Sequence, residues 1–388
     1  MKKIIIVNNN MNVGGVQKSL CNLLWEIHDQ YDVTLLLFRR AGIYAQQLPE
    51  NVKVLESDGL FRFLGISQGE CAGLSKLKRG FLALTAKLFG RPAAMKIVLA
   101  GEKTIPGNYD CAIAFLHNGN IKNFYGGVQE FVLNKVKASC KVAFLHCDYG
   151  NCGADHPSNN TLMEGFDRIA ACSEGCRQAF ISVLPHLAER TVTVRNFHRY
   201  EQIQNLADQD PVHYNTEKIN VVMVSRLSHE KGIERAIAAA AVAVQQGIKL
   251  EIHIVGGGPM RERLEEAAKA SAIADLVHFY GEQANPYRYM KYADLFLMSS
   301  FHEAAPMVID EALCLNVPVL TVQTTSSHEM VTMRKGGWVC ENTDEGLTQA
   351  LVRILSDPMA LEAVRNSLWE SSQNNDVAVE QFTELIEG

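Results

Sequence analysis

The sequence predicts an α/β protein built from two doubly wound parallel-sheet domains. Three observations predict it. Short β-branched runs alternate with helical stretches almost throughout, as βαβ units require. Many of these runs are continuously apolar rather than alternating, the pattern of strands covered on both faces. The strand candidates are also too many for one sheet of ordinary width, so they divide between two domains.

Taken in order, the first-half strand candidates are 3–7, 33–38, 52–55, 111–116, 141–145, 168–171 and 191–194. The first of them, in MKKIIIVNNN, follows two lysines and resembles a leader peptide. Its apolar run is shorter than the ~7–15 residues of a leader's apolar region, and no small-residue cleavage site follows, so it reads as a strand. In the second half the candidates are 219–224, 250–255, 277–280, 295–298, 317–322 and 337–340. Helical periodicity falls between them at 17–27, 233–246, 260–270, 307–315, 345–355 and 359–370. The boundary is placed at 197–218, where RNFHRYEQIQNLADQDPVHYNTEK is polar and weakly periodic. This gives domains of 1–197 and 198–373. A separate helix is expected at 374–388, after the polar break SSQNN, packing back on the first domain.

Composition bounds the function. At 388 residues, 47% hydrophobic and 21% charged, the chain has material for two ordinary cores. A formal net charge of -6 speaks against a nucleic-acid partner, which calls for a basic surplus. No run approaches the ~20 apolar residues of a membrane span. The 10 cysteines are scattered through strands and helices, the usage of a reducing cytoplasm. Cys172 and Cys176 stand at C-x3-C spacing with Cys147 and Cys152 nearby. No C-x2-C pair or histidine pair accompanies them, so no metal site is expected.

One region breaks the rhythm. Between Cys71 and Gly101 no acidic residue occurs, while Lys76, Lys78, Arg79, Lys87, Arg91 and Lys96 interleave with leucines and phenylalanines. The pattern is a basic amphipathic helix, suited either to an anionic membrane surface or to a packed surface position with solvated lysines.

The residues with chemistry gather behind strand ends. In VVMVSRLSHEKGIERAI, Arg226 and Lys231 follow a strand, a planar fork and a point charge that suit a diphosphate. In IVGGGPM, Gly256 and Gly257 let backbone approach a ligand ahead of a helix. In SSFHEAAPMVIDEALC, Glu303 lies in a loop and Glu311 eight positions on in an apolar helix, where a carboxylate needs a partner or a ligand. A corner of this kind suits a nucleotide sugar: amides for the diphosphate, carboxylates for sugar and ribose hydroxyls. In the first half, Gly14 and Gly15 join strand one to its helix, and His117 and His146 end strands on the same expected ligand-binding edge.

The ordered set resembles the retaining glycosyltransferases of family 4, which have the GT-B architecture of two Rossmann-like domains facing a cleft. The matching pieces are Gly14-Gly15, KVAFLH ending at His146, RIAACSEG with Ser173 and Glu174, VRN with Asn196, SRLSHEKG, GGGP, and Glu303 with Glu311. The resemblance implies a transferase moving a sugar from a nucleotide donor, UDP being the expected nucleotide, to a glycan or lipid-linked acceptor. The first domain would bind the acceptor and the second the donor. Arg226 and Lys231 would hold the diphosphate, Glu311 the ribose and Glu303 the transferred sugar. The backbone of Ala305, Pro306, Met307 and Val308 would meet phosphate, Gln283 would lie near the base, and His146 would touch the sugar. Lys76, Lys78, Arg79 and His117 fall on the acceptor or membrane side.

The implied chemistry is front-face displacement with retention. No Asp-x-Asp stands where a metal-bound diphosphate would need it, so neither metal nor cofactor is expected. The implied location is the cytoplasm, peripheral on the inner face of the plasma membrane, as in capsule, lipopolysaccharide or teichoic acid assembly. The sequence shows no oligomeric state. The rival readings are a GT-B epimerase or phosphorylase, a non-catalytic nucleotide-sugar-binding protein and, more remotely, a dehydrogenase. Three positions depart from the family. Ala304 and Ala305 replace the usual glycine-containing lead-in, Ser225 stands where glycine precedes Arg226, and TTSSHE replaces a glycine-rich turn while keeping Glu329.

Overall fold

The computed structural model describes residues 1–66, 68–370 and 373–388. Its contacts divide the chain into two compact units, Met1–Phe197 with Asn375–Gly388, and His198–Asn374. The break read at 371–375 falls partly outside the described residues.

The first unit is a seven-stranded parallel sheet of β1 (Lys3–Asn8), β2 (Asp32–Leu37), β3 (Lys53–Glu56), β4 (Tyr109–Ala114), β5 (Ala138–Leu145), β6 (Arg168–Ala171) and β7 (Thr191–Thr193). Their spatial order is β3-β2-β1-β4-β5-β6-β7. Successive residues of β1 serve opposite faces. Ile5 and Val7 join a core with Phe38, Phe61 and Phe131, while Ile4 and Ile6 join one with Leu20, Leu24 and Phe382. Burial on both faces is why this strand reads as an unbroken apolar run. The helix Asp376–Glu387 packs in the second of these cores, with Phe382 edge-on to Tyr31 and Phe197.

The second unit is a six-stranded parallel sheet of β8 (Ile219–Val224), β9 (Leu250–Val255), β10 (Val277–Gly281), β11 (Leu295–Met298), β12 (Val319–Val322) and β13 (Gly337–Cys340), ordered β10-β9-β8-β11-β12-β13. The same alternation holds in β8, with Val221 and Met223 in one core and Val222 in the other. The strand expected from 317 begins at Val319, because Pro318 has no N–H to give the ladder.

Both sheets reverse their order once, between β1 and β4 and between β8 and β11. Ligands of open α/β sheets bind at such switch points, outside the carboxyl ends of the strands.

The segment 71–101 departs from its expectation. It forms two helices, Gly73–Phe89 and Arg91–Ala100, broken at Gly90, whose φ of 81° lies in the left-handed region. Arg91 is no surface cation. It is fully buried, paired with Glu130 at 3.2 Å and bonded to Asn159. Arg79 is also tied down, its Nε donating to the Ile66 carbonyl at 3.0 Å. Among the described residues, no helix is long and apolar enough to cross a membrane.

Candidate functional site

In the second unit the loops after four neighbouring strands are stitched together at the switch point. Leu227 N–H donates to Gly257 O at 2.8 Å, joining the loops after β8 and β9. Gly256 N–H donates to Gly281 O at 2.8 Å, joining those after β9 and β10. Phe301 N–H donates to Glu230 O at 2.9 Å, and Ser299 Oγ donates to Gly232 O at 2.9 Å, joining those after β8 and β11.

This stitching brings two expected residues into contact. Lys231 Nζ donates to Glu303 Oε1 at 2.6 Å, with both side chains mostly covered. They are 72 positions apart in sequence and meet only because β8 and β11 are neighbours. Arg226 is different. It bonds Glu230 at 2.8 Å, but its side chain is 69% exposed. Exposed ion pairs of this kind contribute only ~0.2–1 kcal/mol. Arg226 can therefore leave Glu230 for another anion at little cost.

Glu311 is buried, at 3% exposure, in the helix Met307–Cys314. Pro306 caps that helix, so the amides of Met307 and Val308 open it with no place in its own ladder and are available to an anion. Ala304 and Ala305 both keep negative φ. The loop thus asks nothing of a glycine there, and alanine carries no backbone strain. Gln283 turns back at the end of β10, donating to Tyr280 O at 2.7 Å.

The glycines divide by role. Gly256 has φ 144°, and a Cβ there would sit 1.8 Å from Ser225 O. A Cβ on Gly257 would meet nothing closer than 3.5 Å. Gly256 is required by the fold, whereas Gly257 leaves backbone bare.

Three residues of this site were not foreseen. Arg235 is buried and donates through Nε and Nη2 to Ser299 O, at 2.8 and 2.6 Å, and through Nη2 to Asn342 Oδ1 at 2.8 Å. Its guanidinium also lies 4.1 Å from the Phe301 ring centroid. Asp310, beside Glu311, faces His198 Nε2 at 3.1 Å and bonds Arg334. Burial pushes the Asp310 carboxyl up, but His198 and Arg334 outweigh it and hold it well below the usual carboxylate range. His229 stacks on Phe301 with centroids 5.4 Å apart, beside a cavity of about 460 Å³ lined by His229, Glu230, Phe301, His302 and Asn342. The sequence signal for Arg235 is weak: one cation in an alanine-rich helix.

In the first unit, Gly14 and Gly15 follow β1, His117 follows β4 and His146 follows β5, all at the carboxyl edge around that sheet's switch point. A Cβ at Gly15 would meet open space. The His146 ring lies 4.6 Å from that of Phe115, centroid to centroid, and stacks on Phe144. Burial pushes its pKa down to about 3, helped by His117, and burial alone takes His117 down to about 4. Both rings are neutral at pH 7. His146 Nε2 and His117 Nδ1 are buried without a hydrogen-bond partner. Lys76 and Lys78 are exposed on the helix Gly73–Phe89, remote in sequence and element from these histidines.

Comparison with known proteins gives a partial family match and a likeness of fold. Residues 206–371 match the model of the family described as glycosyl transferases group 1. Over 198 residues, 47% of each chain, the protein is 28% identical to the amylovoran biosynthesis glycosyltransferase AmsK of Erwinia amylovora. Over 141 residues, 36% of each chain, it is 30% identical to the GDP-mannose-dependent alpha-(1-6)-phosphatidylinositol dimannoside mannosyltransferase of Mycobacterium tuberculosis. The chain thus spans about half the length, or less, of these curated relatives. The solved structure of Anabaena HepE in complex with UDP and glucose aligns over 99% of both chains with a TM-score of 0.67 at 18% identity, a likeness of fold. The protein has the GT-B fold of two parallel-sheet α/β units found in glycosyltransferases, and its residues 206–371 carry the group 1 glycosyl transferase match.

Proposed function

We propose that the protein is a retaining hexosyltransferase that moves a sugar from a nucleotide sugar to a lipid-linked or cell-surface glycan, needing no metal on the diphosphate. The observation that carries this reading is the Lys231–Glu303 pair at the β8/β11 switch point, with Glu303 in the loop that runs into the helix Met307–Cys314. Positive charge and free amides suit a leaving diphosphate, and a carboxylate held within reach of both suits a sugar hydroxyl. The names of the relatives, one in polysaccharide biosynthesis and one acting on a phosphatidylinositol mannoside, support the acceptor class.

In this reading Lys231, Arg226 and the amides of Met307 and Val308 stabilise the departing diphosphate. Glu303 orients the transferred sugar and Glu311 the ribose. The acceptor hydroxyl attacks the face the diphosphate leaves, and a leaving phosphate oxygen takes its proton. Bare backbone at Gly257 and the Gln283 turn flank the nucleotide. His146 is assigned to the sugar on its strand-end position alone. UDP is the first donor to test and GDP the second, since one relative is GDP-mannose-dependent.

The test is nucleotide release from a panel of UDP- and GDP-sugars, with and without lipid-linked acceptors, and the anomeric configuration of the product read by NMR. Acceptor-dependent release abolished by Lys231→Ala and Glu311→Ala is expected. Conversion of donor without acceptor, or an inverted product, overturns the proposal.

A further inference from the structure

Three candidate metal ligands meet in the first unit. His117 follows β4, Cys147 follows β5, and Cys152 lies in the turn after it. A ring nitrogen of His117 and the Sγ atoms of Cys147 and Cys152 all lie within 4.8 Å of one another. Tetrahedral zinc, with Zn–S ~2.3 Å and Zn–N ~2.0–2.1 Å, sets its donors roughly 3.5–3.8 Å apart. A small inward movement of the thiols closes that difference.

Two further observations set this trio apart from a chance grouping of cysteines. His117 Nδ1 is buried with no hydrogen-bond partner, a costly state for a ring nitrogen. The backbone carrying the donors is also clamped from outside. Asn159, 1% exposed, donates to Ala154 O at 2.7 Å and to Gly119 O at 3.2 Å, tying the turn of Cys152 to the loop of His117. The buried Arg91 bonds Asn159 Oδ1 in turn and pairs with Glu130, which accepts from Asn118 Nδ2 at 3.0 Å. Tyr149, in the same turn, donates its hydroxyl to Asn160. Metal sites depend on such outer support to hold their ligands in place.

We propose that His117, Cys147 and Cys152 form a binding site for one thiophilic divalent cation of the zinc class, with a fourth position open to water. Binding converts both thiols to thiolates, forms two metal–sulfur bonds and one metal–nitrogen bond, and releases two protons to solvent. The cation clips the 147–154 turn to the end of β4 and fixes the backbone next to His146. The site is independent of the donor loops, and its test does not use transfer activity.

The experiment uses the reduced full-length chain, dialysed against Zn²⁺ alone and then assayed for bound metal, with Co²⁺ as a spectroscopic substitute. One equivalent of zinc, two protons released and a thiolate-to-cobalt absorption band are expected. Cys147→Ser and Cys152→Ser should each weaken affinity by more than about 100-fold, the upper end of what losing mere outer support costs. Cys340→Ser, in the other unit, should not. A readout needing no variant is protection of Cys147 and Cys152 from alkylation by added zinc. The proposal is overturned if the reduced chain binds no stoichiometric zinc, if the two serine variants bind as the parent does, or if Cys147 and Cys152 form a disulfide that zinc neither prevents nor competes with.

Discussion

Arg235 holds the carbonyl oxygen of Ser299 with two hydrogen bonds, at 2.8 and 2.6 Å, from a side chain that is itself buried. Ser299 begins the loop that carries Glu303, so the guanidinium fixes the entry of that loop. Arg235→Ala should leave a buried carbonyl unsatisfied and remove the ring contact with Phe301. We expect a loss of about 2–4 kcal/mol in urea unfolding. Arg235→Lys should recover only part of it, since an ammonium is a point charge and not a planar fork. Equal midpoints for the parent and Arg235→Ala would show that Ser299 is held by something else.

The two glycines after β9 make opposite predictions. Gly256→Ala places a Cβ 1.8 Å from Ser225 O at a φ of 144°, so backbone must shift. A loss of about 3 kcal/mol or more is expected by thermal or denaturant unfolding. Gly257→Ala meets Glu282 alone, side chain and backbone nitrogen, at ordinary contact distance and should change stability by less than about 1 kcal/mol. If Gly257 offers bare backbone to the nucleotide, its alanine variant should weaken nucleotide binding severalfold in calorimetry while folding normally. Unchanged affinity would remove Gly257 from the donor site.

These contrasts show what was legible in the chain. The two sheets were visible because many of the strands, β1 and β8 among them, are apolar on both faces, and the clustered loops of the second unit because cations, glycines and carboxylates recur just after strands. Arg235 and Asp310 were not visible, because a charge inside an apolar helix looks alike whether its partner is solvent or a residue far along the chain. Arg91 misled for the same reason. Its partner Glu130 lies on another helix, and only the fold shows that the charge is compensated. The His117–Cys147–Cys152 group escaped a spacing rule that looks along one segment, since its donors come from the ends of two neighbouring strands.

A pH dependence follows from His253. It is 2% exposed, and its Nε2 faces Asn220 Oδ1 at 3.1 Å while its Nδ1 faces the Tyr280 hydroxyl at 3.0 Å. Because Asn220 Oδ1 can only accept, Nε2 carries the proton and Nδ1 accepts. Burial, helped by the stacked His278 and partly opposed by Glu251, lowers its pKa from 6.5 to about 4. The unfolded chain thus binds more protons between those two values. The contribution of a neutral His253 is complete above about pH 6.5 and is lost as pH falls toward 4, by roughly 3 kcal/mol at most. Unfolding free energy measured across this range should fall with acid, and His253→Gln should flatten the slope. An unchanged slope in the variant would assign the acid sensitivity to other groups.

The helix Gly73–Phe89 exposes Leu74, Leu77, Phe81, Leu84 and Leu88 at 54–76%, and their spacing puts them on one face. Its opposite side is anchored by Leu82 and Ala86. Lysines 76 and 87 flank the stripe on one side and Lys78 on the other, the arrangement of a helix lying in a lipid interface. Burying a leucine or phenylalanine fully contributes ~1.5–3 kcal/mol, and a lysine near an anionic surface ~1 kcal/mol. The apolar stripe should therefore outweigh the lysines in binding. With anionic vesicles, Leu77→Glu with Phe81→Glu should abolish sedimentation at all salt concentrations. Lys76→Gln with Lys78→Gln should weaken it about tenfold at low salt and little at high salt, where the charges are already screened. Arg79 is left out of this test because its guanidinium is committed to the Ile66 carbonyl, so its loss would report on folding. If the glutamate pair sediments as the parent does, the stripe is not a lipid contact.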